Sequence, residues 1–243
     1  MKSIFIGTLF NGESEFLEHS KAIQSQENVI IKHHVIKNFP EHKAHKQLWI
    51  DWQANHQKYD LFVKIDADTV LSRSTALFEI VRLFEEINVT GAQIKILDYF
   101  SCSLISGINA FNPEVKFKKK VSKLFPDKVD YNHKVVLKGN SVSHLEPIAF
   151  HCLTPNPRQS FYYGFHRMLK NQDKILALVA SNWFVSKDSG REWALHGALC
   201  ASKARLAKIF YSSSNVEKIY LKNQNIDAEN LEQFASRLSN HER

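Results

Sequence analysis

At 243 residues, 44% of them hydrophobic, the chain can bury a sizeable core as one large domain, and no apolar run reaches the ~18 residues of a membrane-spanning helix. Its net charge of +7 suits an anionic partner such as a nucleotide phosphate or an anionic membrane surface, but no Lys/Arg-rich tract or glycine–aromatic repeat argues for nucleic acid. Three cysteines, Cys102, Cys152 and Cys200, with no CxxC pair and no zinc-site spacing, read as reduced thiols in a reducing compartment. The first residues enter an apolar strand at once, with no charged leader before a long apolar run. The expectation is a cytoplasmic protein, soluble or peripheral at the inner face of a membrane.

In chain order, residues 3–10 (SIFIGTLF) read as a strand, 12–24 as a helix, 28–36 as a strand and 40–57 as a helix. Residues 61–65 (LFVKI) are nearly continuous in apolar side chains, the pattern of a parallel strand buried on both faces. This alternation predicts right-handed βαβ units and an α/β fold with a mostly parallel sheet flanked by helices. Leu77, Ile80, Val81, Phe84 and Ile87 then recur at helical spacing, with Ser72 or Ser74 available as the cap, and residues 89–97 (VTGAQIKIL) give a further strand. From Asp98 to His151 the chain is rich in turns, with Gly107, Pro113, Pro126 and Gly139 as breakers and short strands expected at 135–139 and 146–151. From Arg158 the pattern is helical, with Phe161, Phe165 and Met168 on one stripe and Leu195, Leu199, Leu206 and Phe210 on another. The tail after Ser212 is polar and weakly patterned. The expected organisation is a core over 1–157 and a C-terminal helical region over 158–243, part of the same domain.

Residues 59–71, YDLFVKIDADTVL, run the third strand straight into Asp66 and Asp68. Open α/β sheets place ligands beyond the C-terminal ends of their strands. Two carboxylates at i and i+2 in that position repel unless a cation or donor compensates them. A hard divalent ion, Mn²⁺ or Mg²⁺, is the usual compensator, which makes Asp66 and Asp68 metal candidates. The plainer alternative is an Asx-type turn in which Asp68 or Ser72 caps the next helix. His151 ends an apolar strand and is the candidate third ligand, with His144 as its alternative. His42 and His45, at helix spacing among lysines, read as a solvated face. The loop Thr8-Leu9-Phe10-Asn11-Gly12-Glu13 after the first strand lies at the same sheet edge, and Glu13 and Glu15 suit the start of the helix that follows. Neither GxGxxG nor GKS/GKT is present, which argues against a Rossmann dinucleotide site and a P-loop.

The opening FIGTLFNGESEFLEHSKAI, a strand, a polar Asn loop and a helix containing Phe-Leu, followed by Asp66-Ala67-Asp68 after a later strand, resembles the GT-A fold glycosyltransferases, particularly the family 2-like bacterial enzymes. The turn lacks the Pro typical of that family. The similarity covers roughly residues 1–110, with a looser likeness at EPIAFHCLTPNPRQSFYYGFHRMLK. The resemblance implies sugar transfer from a nucleotide-sugar donor to a glycan or glycolipid acceptor, in lipopolysaccharide or other surface polysaccharide biosynthesis. Mn²⁺ or Mg²⁺ would bridge the donor diphosphate, with Asp68 as direct ligand, Asp66 reaching the ion through water or binding the ribose, and His151 completing the set. Thr8, Phe10, Asn11, Glu13, Lys64 and Asp66 would contact the donor, Lys64 having the plainer reading of a solvated strand residue. A carboxylate is the usual general base in that family. Asp98, after IKIL and beside Tyr99 and Phe100, is the candidate, with Asp127, Asp130 and Glu146 as rivals.

Two other classes remain open at the level of sequence. Asp66-Ala67-Asp68-Thr69-Val70-Leu71 also resembles the first motif of haloacid-dehalogenase-like phosphatases, with Asp66 as nucleophile, although here two βα units precede it. A non-catalytic sugar-nucleotide-binding protein would share the same loops. In the C-terminal region FYYGFHRMLK mixes aromatics with cations, the residue types of a membrane-interfacial helix, against the plainer reading of a helix packed on the core.

Overall fold

Strand β1 (Lys2–Phe10) is buried from Ile4 to Thr8 because it runs between two parallel neighbours, β2 (Val29–Lys37) and β3 (Leu61–Lys64). The computed structural model describes residues 1–85, 89–117, 129–130, 135–145, 147–206 and 213–240. They divide into two compact units, 1–98 with 103–153, and 99–102 with 154–243.

In the first unit, α1 (Phe16–Gln24) links β1 to β2 and α2 (Glu41–Asn55) links β2 to β3, as the alternating pattern predicts. After β3 come β4 (Thr69–Leu71), α3 (Ala76–Arg82), β5 (Val89–Asp98) and β6 (Ser103–Phe111). A small pair, β7 (Lys116–Phe117) with β8 (Val129–Asp130), and the short strands β9 (Val135–Leu137) and β10 (Ala149–His151) complete it. The main sheet runs β2-β1-β3-β6-β5-β10-β4, with β9 also against β5. Parallel pairs predominate: β1 joins β2 and β3, and β5 joins β9 and β10. The antiparallel pairs are β3–β6, β5–β6 and β10–β4. The fold is thus α/β with a mostly parallel sheet and flanking helices, as the sequence indicated.

One face of the sheet buries an aromatic core of Phe5, Leu48, Trp52, Phe62 and Phe111. The Trp52 and Phe62 rings lie 5.1 Å apart at 29°, and Phe5 stands 5.6 Å from Trp52, offset packing that anchors α2 to the sheet. His45 on the same helix is buried, so it does not belong to a solvated face.

The junction after β3 departs from the sequence reading. Neither Ser72 nor Ser74 caps α3, whose N-cap residue is Thr75 with no side-chain cap bond, and β4 separates Asp68 from that helix. Ser72 instead donates its hydroxyl to the carbonyls of Pro147 and Ile148, tying β4 to the segment that leads into β10. The aspartate pair therefore is not a helix cap.

The second unit holds α4 (Pro157–Leu169), α5 (Asp173–Ser186), α6 (Ser189–Leu206), α7 (Ser213–Lys222) and α8 (Ala228–Asn240). Asn156 and Gln159 form a reciprocal capping box at the start of α4, with Pro157 in the first turn. Phe161, Phe165, Met168, Leu195 and Leu199 are buried as their spacing predicts, and Tyr163 on α4 is buried with them while Tyr162 is half-buried. The Leu206 side chain, Ile87 and Phe210 lie outside the described residues. The tail is more ordered than its polarity suggested, because Leu231, Phe234, Ala235 and Leu238 at i, i+3, i+4 and i+7 give α8 a buried stripe. No helix of the described residues is long and apolar enough to cross a membrane.

Helices α4 and α6 approach through two glycines. A Cβ at Gly164 would sit 1.6 Å from the Ala194 carbonyl oxygen, and one at Gly197 would sit 2.0 Å from that of Phe161. Backbone on both sides leaves no flexible side chain to yield. Gly164→Ala is expected to destabilise the protein by about 3 kcal/mol, the upper part of the overpacking range, read as a lower urea midpoint. An unchanged midpoint would mean that the two helices are not this close.

Candidate functional site

Sheet order and register build a line of three side chains. β10 pairs in parallel with β5, placing His151 opposite Asp98, and antiparallel with β4, placing His151 opposite Thr69. The Asp66–Thr69 turn that follows β3 closes through Thr69 N–H to the Asp66 carbonyl, and the Cys152 N–H reaches the Asp68 carbonyl at 2.8 Å. As a result His151 Nδ1 lies 2.7 Å from Asp98 Oδ1, while His151 Nε2 lies 3.4 Å from Asp68 Oδ2. Cys152 adds its Sγ 3.4 Å from Asp68 Oδ2 and 3.5 Å from His151 Nε2. Asp68, His151 and Cys152 offer one ligand atom each within 4.8 Å of one another, a grouping that fits a metal ion. Side-chain exposure is 21% for Asp68, 15% for His151 and 0% for Asp98, so the cluster opens toward solvent at Asp68 and is closed behind His151.

The charges of the cluster depend on one another. Burial works against a charge on His151, but the Asp68 charge and the hydrogen bonds to Asp68 and Asp98 outweigh it and lift the imidazole well above its usual range. Burial opposes the Asp68 charge too, yet His151 and the thiol and backbone hydrogen bonds hold that carboxyl at about 2. Burial, followed by the Asp68 charge, pushes the Cys152 thiol well above its usual range. Without an ion, these directions favour an imidazolium beside the Asp68 carboxylate and a neutral Cys152 thiol.

The loop after β1 faces the same charges. Glu13 is raised above the usual carboxylate range first by burial and then by the charges of Asp68 and Asp66, against hydrogen bonds from the Asn11 and Glu13 backbone. The Asn11 N–H donates to Glu13 Oε2 at 2.6 Å, which closes the loop at Gly12 with its φ of 92°. The Phe10 and Phe16 rings lie 4.3 Å apart, with the Lys37 ammonium 5.5 Å from the Phe16 centroid. Asp66 points outward: its side chain is 48% exposed and pairs with the nearly buried Lys64 at 2.6 Å.

Beneath the aspartates runs a buried polar chain. His19 Nδ1 lies 2.6 Å from the Thr69 carbonyl, His19 Nε2 3.1 Å from Thr8 Oγ1, and His33 Nε2 3.1 Å from the same hydroxyl. Burial keeps both imidazoles below their usual range, His33 at about 4 with His19 and His34 adding to the effect. With both rings neutral, one tautomer set satisfies every group: His33 donates to Thr8, Thr8 to His19, and His19 to Thr69.

Of the residues singled out from sequence, the structure brings Asp68 and His151 together, with Glu13 and Asp66 in electrostatic reach. Thr8 is fully buried and supports the loop from beneath. Asp98 is fully buried with its carboxylate on His151, which leaves it no surface from which to take an acceptor's proton. His144 lies in the 3₁₀ segment Gly139–Leu145, outside the Asp68–His151–Cys152 group. Asp127, Glu146 and the Asp130 side chain lie outside the described residues. Cys152, His19 and His33 were not singled out. Only the adjacency of Cys152 to His151 offered a sequence signal, since the partners of all three come from distant elements.

No family model and no curated protein matches the sequence. Solved structures similar to it include a glycosyltransferase involved in the glycosylation of the major capsid of PBCV-1, at 14% identity and a TM-score of 0.33, covering 45% of this chain and 59% of that one. The mannosyltransferase PcManGT from Pyrobaculum calidifontis, in complex with GDP-Man and Mn²⁺, matches at 9% identity and a TM-score of 0.43, over 97% of this chain and 84% of that one. A197 from STIV matches at 12% identity and a TM-score of 0.34, over 51% and 70%. At these identities and TM-scores they stand as likenesses; the chemistry is argued from Asp68, Asp98, His151 and their neighbours.

The neutral histidines carry a pH consequence. Below about pH 6.5 the unfolded chain takes up protons that folded His19 and His33 refuse, so stability falls as pH drops toward about 4, the folded value of His33. His151, raised in the folded state, contributes in the opposite sense. Urea midpoints are expected to fall between pH 7 and pH 5, with a shallower dependence in His33→Gln. An equally steep dependence in the variant would show that His33 is not held neutral.

Proposed function

We propose that the protein is a metal-dependent glycosyltransferase of GT-A, family 2-like type. It would take its sugar from a nucleotide-sugar donor and pass it to a glycan or glycolipid acceptor, in polysaccharide or lipopolysaccharide assembly. The observation that carries this reading is the approach of Asp68 to His151 Nε2 at 3.4 Å, with Glu13 in electrostatic reach of Asp68 and Asp66, at loops that follow β1 and β3 and lack any glycine-rich phosphate cradle. Like charges gathered this way suit a divalent cation and a diphosphate rather than a dinucleotide fingerprint.

Asp68 and His151 fit a divalent ion, Mn²⁺ or Mg²⁺: their ligand atoms face each other and the second nitrogen of His151 is fixed by a carboxylate, the outer support typical of metal-bound histidine. When bound, such an ion would offset the negative charge that develops on the diphosphate as the sugar–phosphate bond breaks. Asp98 orients His151, so we assign it a positioning role in place of general base. Lys64 holds the Asp66 carboxylate at the open side, where it can accept from the donor ribose or from ion-bound water. Phe10, Asn11 and Glu13 border the donor from the β1 loop, and Thr8 props that loop through His19. The phosphatase reading loses ground because the Asp68 carboxylate, which it would use as acid/base, is engaged by His151 and Cys152.

Calorimetric titration of UDP, GDP, CDP, CMP and TDP, with and without Mn²⁺, tests this. One nucleotide is expected to bind in a metal-dependent way, with binding lost in Asp68→Ala. Turnover of the corresponding nucleotide sugar separates an enzyme from a binding protein. In Asp98→Asn, which keeps a hydrogen-bond acceptor for His151 but removes the charge, Mn²⁺ affinity should fall by about 10–100-fold. Absence of nucleotide binding, with phosphatase activity abolished by Asp66→Asn, would overturn the proposal.

A further inference from the structure

Cys152 is not a bystander to the pair beside it. It adopts a φ of 52°, a left-handed conformation that costs a non-glycine residue about 1–2 kcal/mol. In that conformation its N–H bonds the Asp68 carbonyl and its sulfur stands over the Asp68 and His151 ligand atoms. Strain of this kind at a site points to a use for the side chain it places.

The triangle of ligand atoms has edges of 3.4 Å (Asp68 Oδ2 to His151 Nε2), 3.4 Å (Asp68 Oδ2 to Cys152 Sγ) and 3.5 Å (His151 Nε2 to Cys152 Sγ). Tetrahedral bonds of about 2.0–2.1 Å to nitrogen and oxygen and about 2.3 Å to sulfur give edges of roughly 3.4–3.6 Å. Octahedral bonds of about 2.1 Å at right angles, as Mg²⁺ demands, give edges of only about 3.0 Å. In the ion-free cluster the same spacing serves the thiol's hydrogen bonds, so the three groups need not move to exchange the thiol proton for a cation.

Resting on the metal reading above, we propose that Cys152 is a third ligand of the ion, as thiolate, and that the site is a three-protein-ligand, four-coordinate centre that binds borderline cations such as Zn²⁺ and Co²⁺ more tightly than the Mn²⁺ it also holds. The ligand set of carboxylate, imidazole and thiolate is softer than an all-oxygen site. Binding releases the thiol proton and the His151 Nε2 proton to solvent and forms the sulfur–metal and nitrogen–metal bonds, with no change of oxidation state. The fourth corner lies on the exposed side of Asp68 and is left to water or a donor oxygen, the arrangement of catalytic rather than structural centres.

Co²⁺ reads the sulfur directly. Full-length protein titrated with Co²⁺ is expected to show a thiolate-to-cobalt charge-transfer band in the near ultraviolet at one equivalent, together with the visible spectrum of a four-coordinate ion. Cys152→Ser should lose the band, and Zn²⁺ should displace Co²⁺ from the wild type more readily than Mn²⁺ does. Binding of Co²⁺ measured by calorimetry with no charge-transfer band would overturn thiolate ligation while leaving the Asp68–His151 site standing. A band that persists in Cys152→Ser would assign it to Cys102 or Cys200 and overturn the proposal, and failure of every cation to bind would overturn the metal reading with it. The wild-type spectrum decides the question even where the variant fails to fold.

Discussion

The two nitrogens of His151 hold the site together. One is fixed by a carboxylate with no exposure to solvent, and this aims the other at Asp68. The arrangement follows from strand order, since β10 lies between β5 and β4 and brings residues 98, 151 and 68 into line although they are far apart in sequence. A buried charged group is a weak source of stability, because desolvation consumes much of the Coulomb gain. Its placement here therefore makes more sense as a device for geometry than as a prop for the fold.

The rest of the first unit supplies rigidity around that line. The aromatic packing of α2 against β1 and β3 fixes the strand that carries Asp66 and Asp68. The neutral chain from His33 through Thr8 and His19 to the Thr69 carbonyl holds the far side of the same turn. Buried polar groups that are all satisfied specify one conformation at little cost, whereas a single unpaired member would be expensive. The exposed side of the turn is left to Asp66 and the β1 loop, with Lys64 nearly buried behind Asp66.

Much of this was legible in the sequence where periodicity or local spacing carried it. The apolar strands and the amphipathic α4 and α6 announced themselves, and Asp66 and Asp68 stood out as a like-charged pair at a strand end. What periodicity could not carry was pairing across the sheet. β4 is three residues long, too short for a pattern, yet it converts Asp68 from a helix-cap candidate into a neighbour of His151. Asp98 read as the candidate base because its strand partner lay more than fifty positions away, and Cys152 read only as a reduced thiol because Asp68 lies on a distant element. The stripe of α8 was present in the residues but masked by its polar flanks.

The central claim is that Asp68 and His151, set by Asp98, hold a divalent cation that a nucleoside diphosphate then shares. Anomalous diffraction from crystals soaked in Mn²⁺ and the nucleotide that binds tests it most directly. The account predicts one strong peak at bonding distance from Asp68 Oδ2 and His151 Nε2, with a diphosphate oxygen in its coordination. A peak held by Asp66 and Glu13 alone, with His151 still paired to Asp68, would contradict it.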